Sequence, residues 1–336
     1  MRAATRTRFP QAIRSLLISA AVLFGAVPGH GGAVAQDYPA HPIKLIVPFA
    51  AGGPTDVTGR ILADVLSRKF GRPVVVENFG GAGGNVGAER AARAPPDGYT
   101  LLFTNISMAI SPALYPDLAY DPLRDFVSLG IAVFSPTMLV ARPSFANVPF
   151  KNFIDYLKTN GPKVNAANTG PGGPSFLCES LLMRQLKTRF NMIPYQGTGP
   201  AMIDVAAGRA DFVCDAVITA SVQAKGGRVK AYGIVGDSRA ALLPDLPTLA
   251  EQGLPDVAMR VWSGLYAPKG TPAPIVERIN AELRAALNDP DFQRRAVAVG
   301  QETVLTELAI PAGARAFLQA EMTKWTPLLK TQTAPK

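Results

Sequence analysis

The residues with the clearest chemical potential in this chain are glycines set at the starts of helical patterns. Four segments share one order: an apolar stretch, a glycine-rich turn, then a helical pattern. The turns are Ala50-Ala51-Gly52-Gly53, Phe79-Gly80-Gly81-Ala82-Gly83-Gly84, Thr169-Gly170-Pro171-Gly172-Gly173 and Gln196-Gly197-Thr198-Gly199. A helix opening directly after such a turn leaves backbone N–H groups unpaired, and its dipole favours negative charge there. Glycine adds positive φ and lets a ligand approach the backbone without meeting a Cβ. The chemistry on offer is capture of a carboxylate or phosphate. A single glycine turn carries little weight, because most such turns bind nothing. Four of them at the carboxyl ends of strands, aimed at a shared crevice, predict a binding site. Tyr195 and Asp215 each end a predicted strand on the crevice side. A core aromatic and a helix N-cap are their ordinary alternatives. An Asp215 facing the crevice favours a solute with an amine, amide or hydroxyl donor and repels a bare carboxylate.

Other chemistries fail on particular residues. No Lys follows the second glycine cluster, so it is not a P-loop, and its G-x-G-x-x-G spacing from Gly81 and Gly83 meets Val86. A lipase-type elbow is missing, since Ser175 has Gly173 before it but Leu177 after it. Two Cys and two His (His30, His41) are too few for a Cys/His zinc site, and a histidine-dependent nucleophile would have to recruit His41. No cofactor and no metal is expected. The formal charge of +9 is not a nucleic-acid signal: Arg2, Arg6, Arg8 and Arg14 all precede position 35, and without these four it falls to +5. The remaining basic groups, such as Arg184, Lys187 and Arg189, have no interleaved aromatics and read as solvated surface.

The turns need elements to hold them. At 336 residues and 48% apolar, the chain can bury the cores of about two domains. Two strand–turn–helix units lie in each half, the grammar of a parallel α/β sheet, which predicts an α/β fold of two similar lobes. Short crossings are expected within 129–141 and 257–268, and helical patterns near 275–287, 291–299 and 312–329 return to the first lobe. The expected division is residues 36–136 plus 263–336 for lobe 1 and 137–262 for lobe 2. Residues 1–35 carry arginines, an apolar run at 15–27 and Ala33-Val34-Ala35 before Gln36, the pattern of an export signal cleaved near Ala35. Export makes a disulfide between Cys178 and Cys214 the favoured state, at roughly 3–4 kcal/mol of chain entropy, with two buried free thiols as the alternative.

Ordered matches along the chain resemble a known family. They include Pro48-Phe49-Ala50-Ala51-Gly52-Gly53 with Asp56, Val76-Glu77-Asn78 then Gly81-Ala82-Gly83-Gly84, and Pro96-Asp97-Gly98-Tyr99-Thr100-Leu101-Leu102. Pro194-Tyr195-Gln196-Gly197 with Pro200-Ala201, Gly208-Arg209-Ala210-Asp211 and Leu243-Pro244-Asp245-Leu246-Pro247-Thr248-Leu249 continue the likeness. These resemble the solute-binding receptors of the tripartite tricarboxylate transporters, the Bug family. The resemblance implies a periplasmic two-lobed Venus flytrap of type II-like topology, with mixed sheets flanked by helices and two hinge crossings. It would close on a small carboxylated solute and deliver it to a permease of the tripartite tricarboxylate type, with a monomer as the default. It places ligand contacts at Phe49, Ala51, Gly53, Thr55, Asp56, Ala82, Gly83, Thr104 and Asn105 in lobe 1. In lobe 2 it places them at Gly170, Gly172, Gly173, Tyr195, Gly197, Ala201 and Asp215. Some relatives carry cysteines at the positions of Cys178 and Cys214, in keeping with the bridge. Two departures fall near the ligand loops: Gly173-Pro174-Ser175-Phe176 replaces a segment with Ser and His, and Phe79-Gly80 replaces Arg-Pro. They lead to the expectation of a less polar solute, such as an aromatic acid. An exported hydrolase using a loop hydroxyl, or a receptor presenting its ligand to a membrane sensor, are the alternative functions.

Overall fold

The first strand shows how the fold is built. In β1 (Ile43–Val47) only Lys44 is exposed, so the strand is apolar on both faces, as a strand inside a helix-covered sheet must be. The computed structural model describes residues 38–304 and 306–330. The expected export signal at 1–35 and the tail at 331–336 lie outside the described residues. After β1 the chain enters α1 (Pro54–Phe70), which opens on a proline whose missing N–H costs nothing there and stops at Gly71 in the left-handed region. α1 buries Ile61, Leu62, Val65, Leu66 and Phe70, at about 1.5–3 kcal/mol for each large apolar side chain. Gly59 sets the distance between this helix and the sheet: a Cβ there would stand 3.0 Å from Val47 and 3.3 Å from Phe103.

The chain continues through β2 (Val74–Asn78), α2 (Asn85–Ala92), β3 (Thr100–Asn105), α3 (Ser107–Leu114) and β4 (Phe126–Ser135). Pro136 alone separates β4 from β5 (Thr137–Ala141), which belongs to a second sheet. There follow α4 (Phe150–Asn160), β6 (Asn165–Asn168), α5 (Pro174–Leu186), β7 (Asn191–Pro194), α6 (Thr198–Ala206), β8 (Phe212–Ala216), α7 (Val217–Lys225) and β9 (Lys230–Val235). The chain then returns to the first sheet as β10 (Val261–Pro268) and finishes with α8 (Ala273–Leu287), α9 (Pro290–Ala298), β11 (Glu302–Thr303) and α10 (Pro311–Leu329).

The result is two mixed sheets flanked by helices. The first has the order β11-β4-β10-β3-β1-β2 and the second β7-β6-β8-β5-β9. Strands delivered by helical crossovers run parallel: β1 with β2 and β3, and β6 with β7 and β8. The strands that cross between sheets, β4, β5 and β10, run antiparallel to their neighbours. α8 and α9 pack on α1, and α10 packs on α3 and β4. The indole N–H groups of Trp262 on β10 and Trp325 on α10 both donate to Glu321 Oε2, at 3.1 and 3.0 Å. Cys178 on α5 and Cys214 on β8 are joined in a disulfide, so the free-thiol alternative falls away. Among the described residues no helix is long and apolar enough to cross a membrane.

Candidate functional site: a hydroxyl-lined cavity between two sheets

A cavity with about 510 Å³ of atom-free space, open solvent at its mouth included, lies where the two sheets face each other. The first sheet and its loops contribute Phe49, Gly53, Pro54, Thr55, Asn105, Val261 and Ser263. The hinge contributes Ser135 and Thr137, one on each side of Pro136. Thr169, Pro174, Ser175, Thr198, Cys214, Asp215 and Ala216 form the wall belonging to the second sheet. The first turns of α1, α5 and α6 therefore all reach the cavity, which brings three helix N-termini and their spare N–H groups to one place. α1 and α5 each begin with proline, which keeps the N1 position free of a wasted donor.

Seven hydroxyl side chains line this space, and no Lys, Arg or His does. Internal hydrogen bonds aim several of them. Asn105 Nδ2 donates to Thr55 Oγ1 at 3.0 Å, while Gln301 Nε2 donates to Ser135 Oγ at 3.1 Å. Thr169 N–H donates to Ser175 Oγ at 2.8 Å, and the two hydroxyls lie 3.0 Å apart. The one ionisable lining group is Asp215, which is 2% exposed. Burial raises its carboxyl above the ordinary value, against the opposing pull of the Thr219 and Thr198 hydroxyls and the Ala216 N–H. Thr219 Oγ1 donates to Asp215 Oδ2 at 2.6 Å, and Ala216 N–H to Asp215 Oδ1 at 2.9 Å. An anion here would be held by neutral donors, without a counter-ion.

Of the residues expected at the ligand, Phe49, Gly53, Thr55, Asn105 and Asp215 stand on the cavity wall. A second group forms the seam where the two walls meet. Gly83 is at φ 66°, and a Cβ on it would lie 2.0 Å from Pro171 O, so only glycine permits that contact. Ala82 precedes it, and Gly170 and Gly172 lie opposite, with Gly173 capping α5. Gly197 abuts Ala50, whose N–H donates to Gln196 O at 2.9 Å, and Tyr115 Oη donates to Pro171 O at 2.9 Å.

The remaining expected residues have other partners. Asp56 braces the first turn: Oδ2 accepts from Gly52 N–H at 2.9 Å and Arg60 Nε at 3.0 Å, and Oδ1 accepts from Asn78 Nδ2 at 2.9 Å. Burial would raise its carboxyl, but the bonds from Arg60, Gly52 and Asn78 outweigh that and hold it below its ordinary value. Thr104 is buried in β3 with its hydroxyl 3.2 Å from Ser107 Oγ, and Ala201 is buried on the core side of α6. Tyr195 Oη donates to Asp204 Oδ2 at 2.6 Å; burial first, then Asp204, pushes its phenol up to about 12. Ala51 opens onto a separate surface groove between α6 and α7.

Neither of the two departures puts an aromatic ring on the cavity wall. Phe79 lies under the Arg90 guanidinium, 4.1 Å from its ring centroid, and Phe176 is buried in the core. Neither reaches the cavity, while the Ser175 hydroxyl does. Sequence reasoning passed over Ser135, Thr137 and Ser263, and quoted Thr169 and Thr198 only as parts of turns. Their signal was a hydroxyl interrupting strands that are otherwise wholly apolar, since a buried polar residue is the informative exception.

A family model described as the tripartite tricarboxylate transporter family receptor matches residues 58–333. The chain belongs to that family. This receptor is 41% identical over 291 residues to a UPF0065 protein encoded in the TAR-I ttuE-ttuC′ intergenic region of Agrobacterium vitis, covering 86% of this chain and 84% of the relative. The solved structure of the periplasmic binding protein BugD is similar with a TM-score of 0.85 at 39% identity, covering 88% of this receptor and 98% of BugD. MatC from Rhodopseudomonas palustris, solved with bound malate, is similar with a TM-score of 0.83 at 35% identity, over 87% and 100% of the two chains. The fold is the two-lobed Venus flytrap of solute-binding receptors, with mixed sheets and two crossings.

Proposed function

We propose that this receptor is an exported protein that closes on a small aliphatic carboxylate, of the malate type, and presents it to a membrane permease of the tripartite tricarboxylate class. The observation that carries the reading is the cavity itself: three helix N-termini and seven hydroxyls line it, and no cationic side chain does. Such donors satisfy carboxylate oxygens by hydrogen bonds and leave the exchange reversible, as delivery requires. The pattern at residues 1–35 supports export. Asp215 faces the same space, where its carboxyl oxygens can accept from a solute hydroxyl. Closure follows the two crossings at Pro136 and at 236–260: binding selects the state in which the seam at Gly83 and Pro171 is made.

A thermal-shift screen of the mature chain against malate, succinate, citrate, acidic amino acids and benzoate tests this. A solute at 100 times its Kd adds about 2.7 kcal/mol to apparent stability. The expected result is a saturable shift with malate or a near homologue, absent for its diamide. A shift with benzoate alone contradicts the aliphatic reading, and no shift with any carboxylate contradicts carboxylate capture.

A further inference from the structure

The second sheet is incomplete where it meets the cavity. β6 and β8 are neighbours, yet their ladder holds one residue pair, Ala166 with Phe212; beyond it they part from each other, β6 staying paired with β7 and β8 with β5. In the first sheet the corresponding parallel neighbours β1 and β3 hold three pairs, from Lys44 with Thr100 to Ile46 with Leu102. The diverging ends of β6 and β8 lead straight into lining residues: Thr169 follows β6, and Cys214, Asp215 and Ala216 belong to β8.

Two consecutive residues of α5 hold these splayed ends. Glu179 Oε2 accepts from Asn168 Nδ2 at 3.0 Å, anchoring α5 to the last residue of β6. Cys178 is bonded to Cys214 of β8. Asn168 and Cys214 lie the same two residues past the single ladder pair, so α5 spans the split at one level. Phe212 and Cys214 face the core cluster that contains α5, whereas Val213 faces the cluster under α6 and α7. The bridge therefore crosses on the α5 side and leaves the gap between the strands to the cavity.

Resting on the carboxylate reading above, we propose that the Cys178–Cys214 bridge fixes the width of the cavity and so sets the chain length of the dicarboxylate the receptor accepts. Cys178 is a positioning residue that acts through β8. Hydrogen bonds would hold two paired strands about 4.8 Å apart. Where the ladder is missing, the covalent tie supplies that fixed spacing. Without it, β8 keeps its β5 ladder and β6 its β7 ladder, but the spacing between β6 and β8 at the cavity is left to the solute, which lowers affinity most for the solute that fits the fixed width best.

The test uses calorimetric titration of malate, with four carbons, and adipate, with six, into the native oxidised receptor and its Cys178→Ser variant. This variant leaves the Cys214 side chain on the cavity wall. Native receptor reduced in its folded state with dithiothreitol, which ends as a cyclic disulfide, serves where the variant fails to fold. The expected result is that the ratio of malate to adipate affinity changes by about tenfold when the bridge is absent, equivalent to about 1.4 kcal/mol of selectivity. An unchanged ratio, with both affinities kept or both lowered by one factor, overturns the proposal while leaving carboxylate binding in place. Failure of the native receptor to bind either acid overturns the carboxylate reading, and this inference with it.

Discussion

The two walls of the cavity are held by different physics. The first-sheet wall stands on β1, paired with β2 over its whole length and with β3 over three pairs, and its leading turn is braced by Asp56 with Gly52, Arg60 and Asn78. That brace is ionic and partly wet, since the Arg60 side chain is 52% exposed. The second-sheet wall stands on strands that separate after one ladder pair, and is held by a disulfide, a buried acid and paired hydroxyls. The contrast teaches that one glycine-turn motif can be rigidified by whichever bond its sheet leaves room for. Salt and acid should act on the first wall, and reductant and base on the second.

The largest effect belongs to the bridge. Replacing both Cys178 and Cys214 by Ser is expected to cost roughly 3–4 kcal/mol in denaturant unfolding. A loss below about 1 kcal/mol would mean that the splayed strands hold themselves, and the contrast would collapse. Asp56→Ala comes next, at about 1.5–3 kcal/mol near neutral pH, the usual size for hydrogen bonds to a charged group. Its folded carboxyl sits below 3.8, so that stability is present above 3.8 and is lost as pH falls through the lowered value. The difference between native and variant should therefore vanish in strong acid, and a difference that persists there would show the role to be packing.

The smallest effect is expected for Glu179→Gln, which keeps an acceptor for Asn168 and changes stability by under about 1.5 kcal/mol at low pH. Burial holds the Glu179 carboxyl well above 4.5, against the Asn168 bond. The neutral acid's contribution is thus complete below 4.5 and is lost as pH rises through the raised value. Melting temperature measured against pH should fall on the alkaline side for the native receptor and stay flatter for the variant. Parallel curves would remove the buried acid from the account of the second wall.

These braces mark where sequence reading reaches its limit. The helix-opening turns were legible, because a glycine turn with proline at N1 dictates a local conformation, and Gly53, Thr55, Thr169 and Thr198 do come together. Strand parity was not legible. Thr104 and Asn105 are adjacent on β3, and a strand sends successive side chains to opposite faces, so one lines the cavity and the other meets Ser107. Thr55 and Asp56 part in the same way around the first turn of α1, one to the cavity and one to the brace. Ser135, Thr137 and Ser263 were hidden within apolar runs because only the meeting of two sheets turns those strand positions into a wall. The bridge was foreseeable as a pairing, but its place at the split depended on β6 and β8 parting after one residue pair, which no local pattern encodes.

Closure on a carboxylate is the central claim, and Gly83 tests it most directly. A Cβ at this position would meet Pro171 O at 2.0 Å, so Gly83→Ala should leave both lobes folded and keep the seam from being made. Calorimetric titration of malate, or of the carboxylate that gives the largest thermal shift, into native and variant receptors is the measurement. The account predicts saturable binding by the native receptor and a loss of at least about a hundredfold in the variant, roughly 2.7 kcal/mol. Equal affinity in the two proteins would place the solute away from the seam and contradict closure over this cavity.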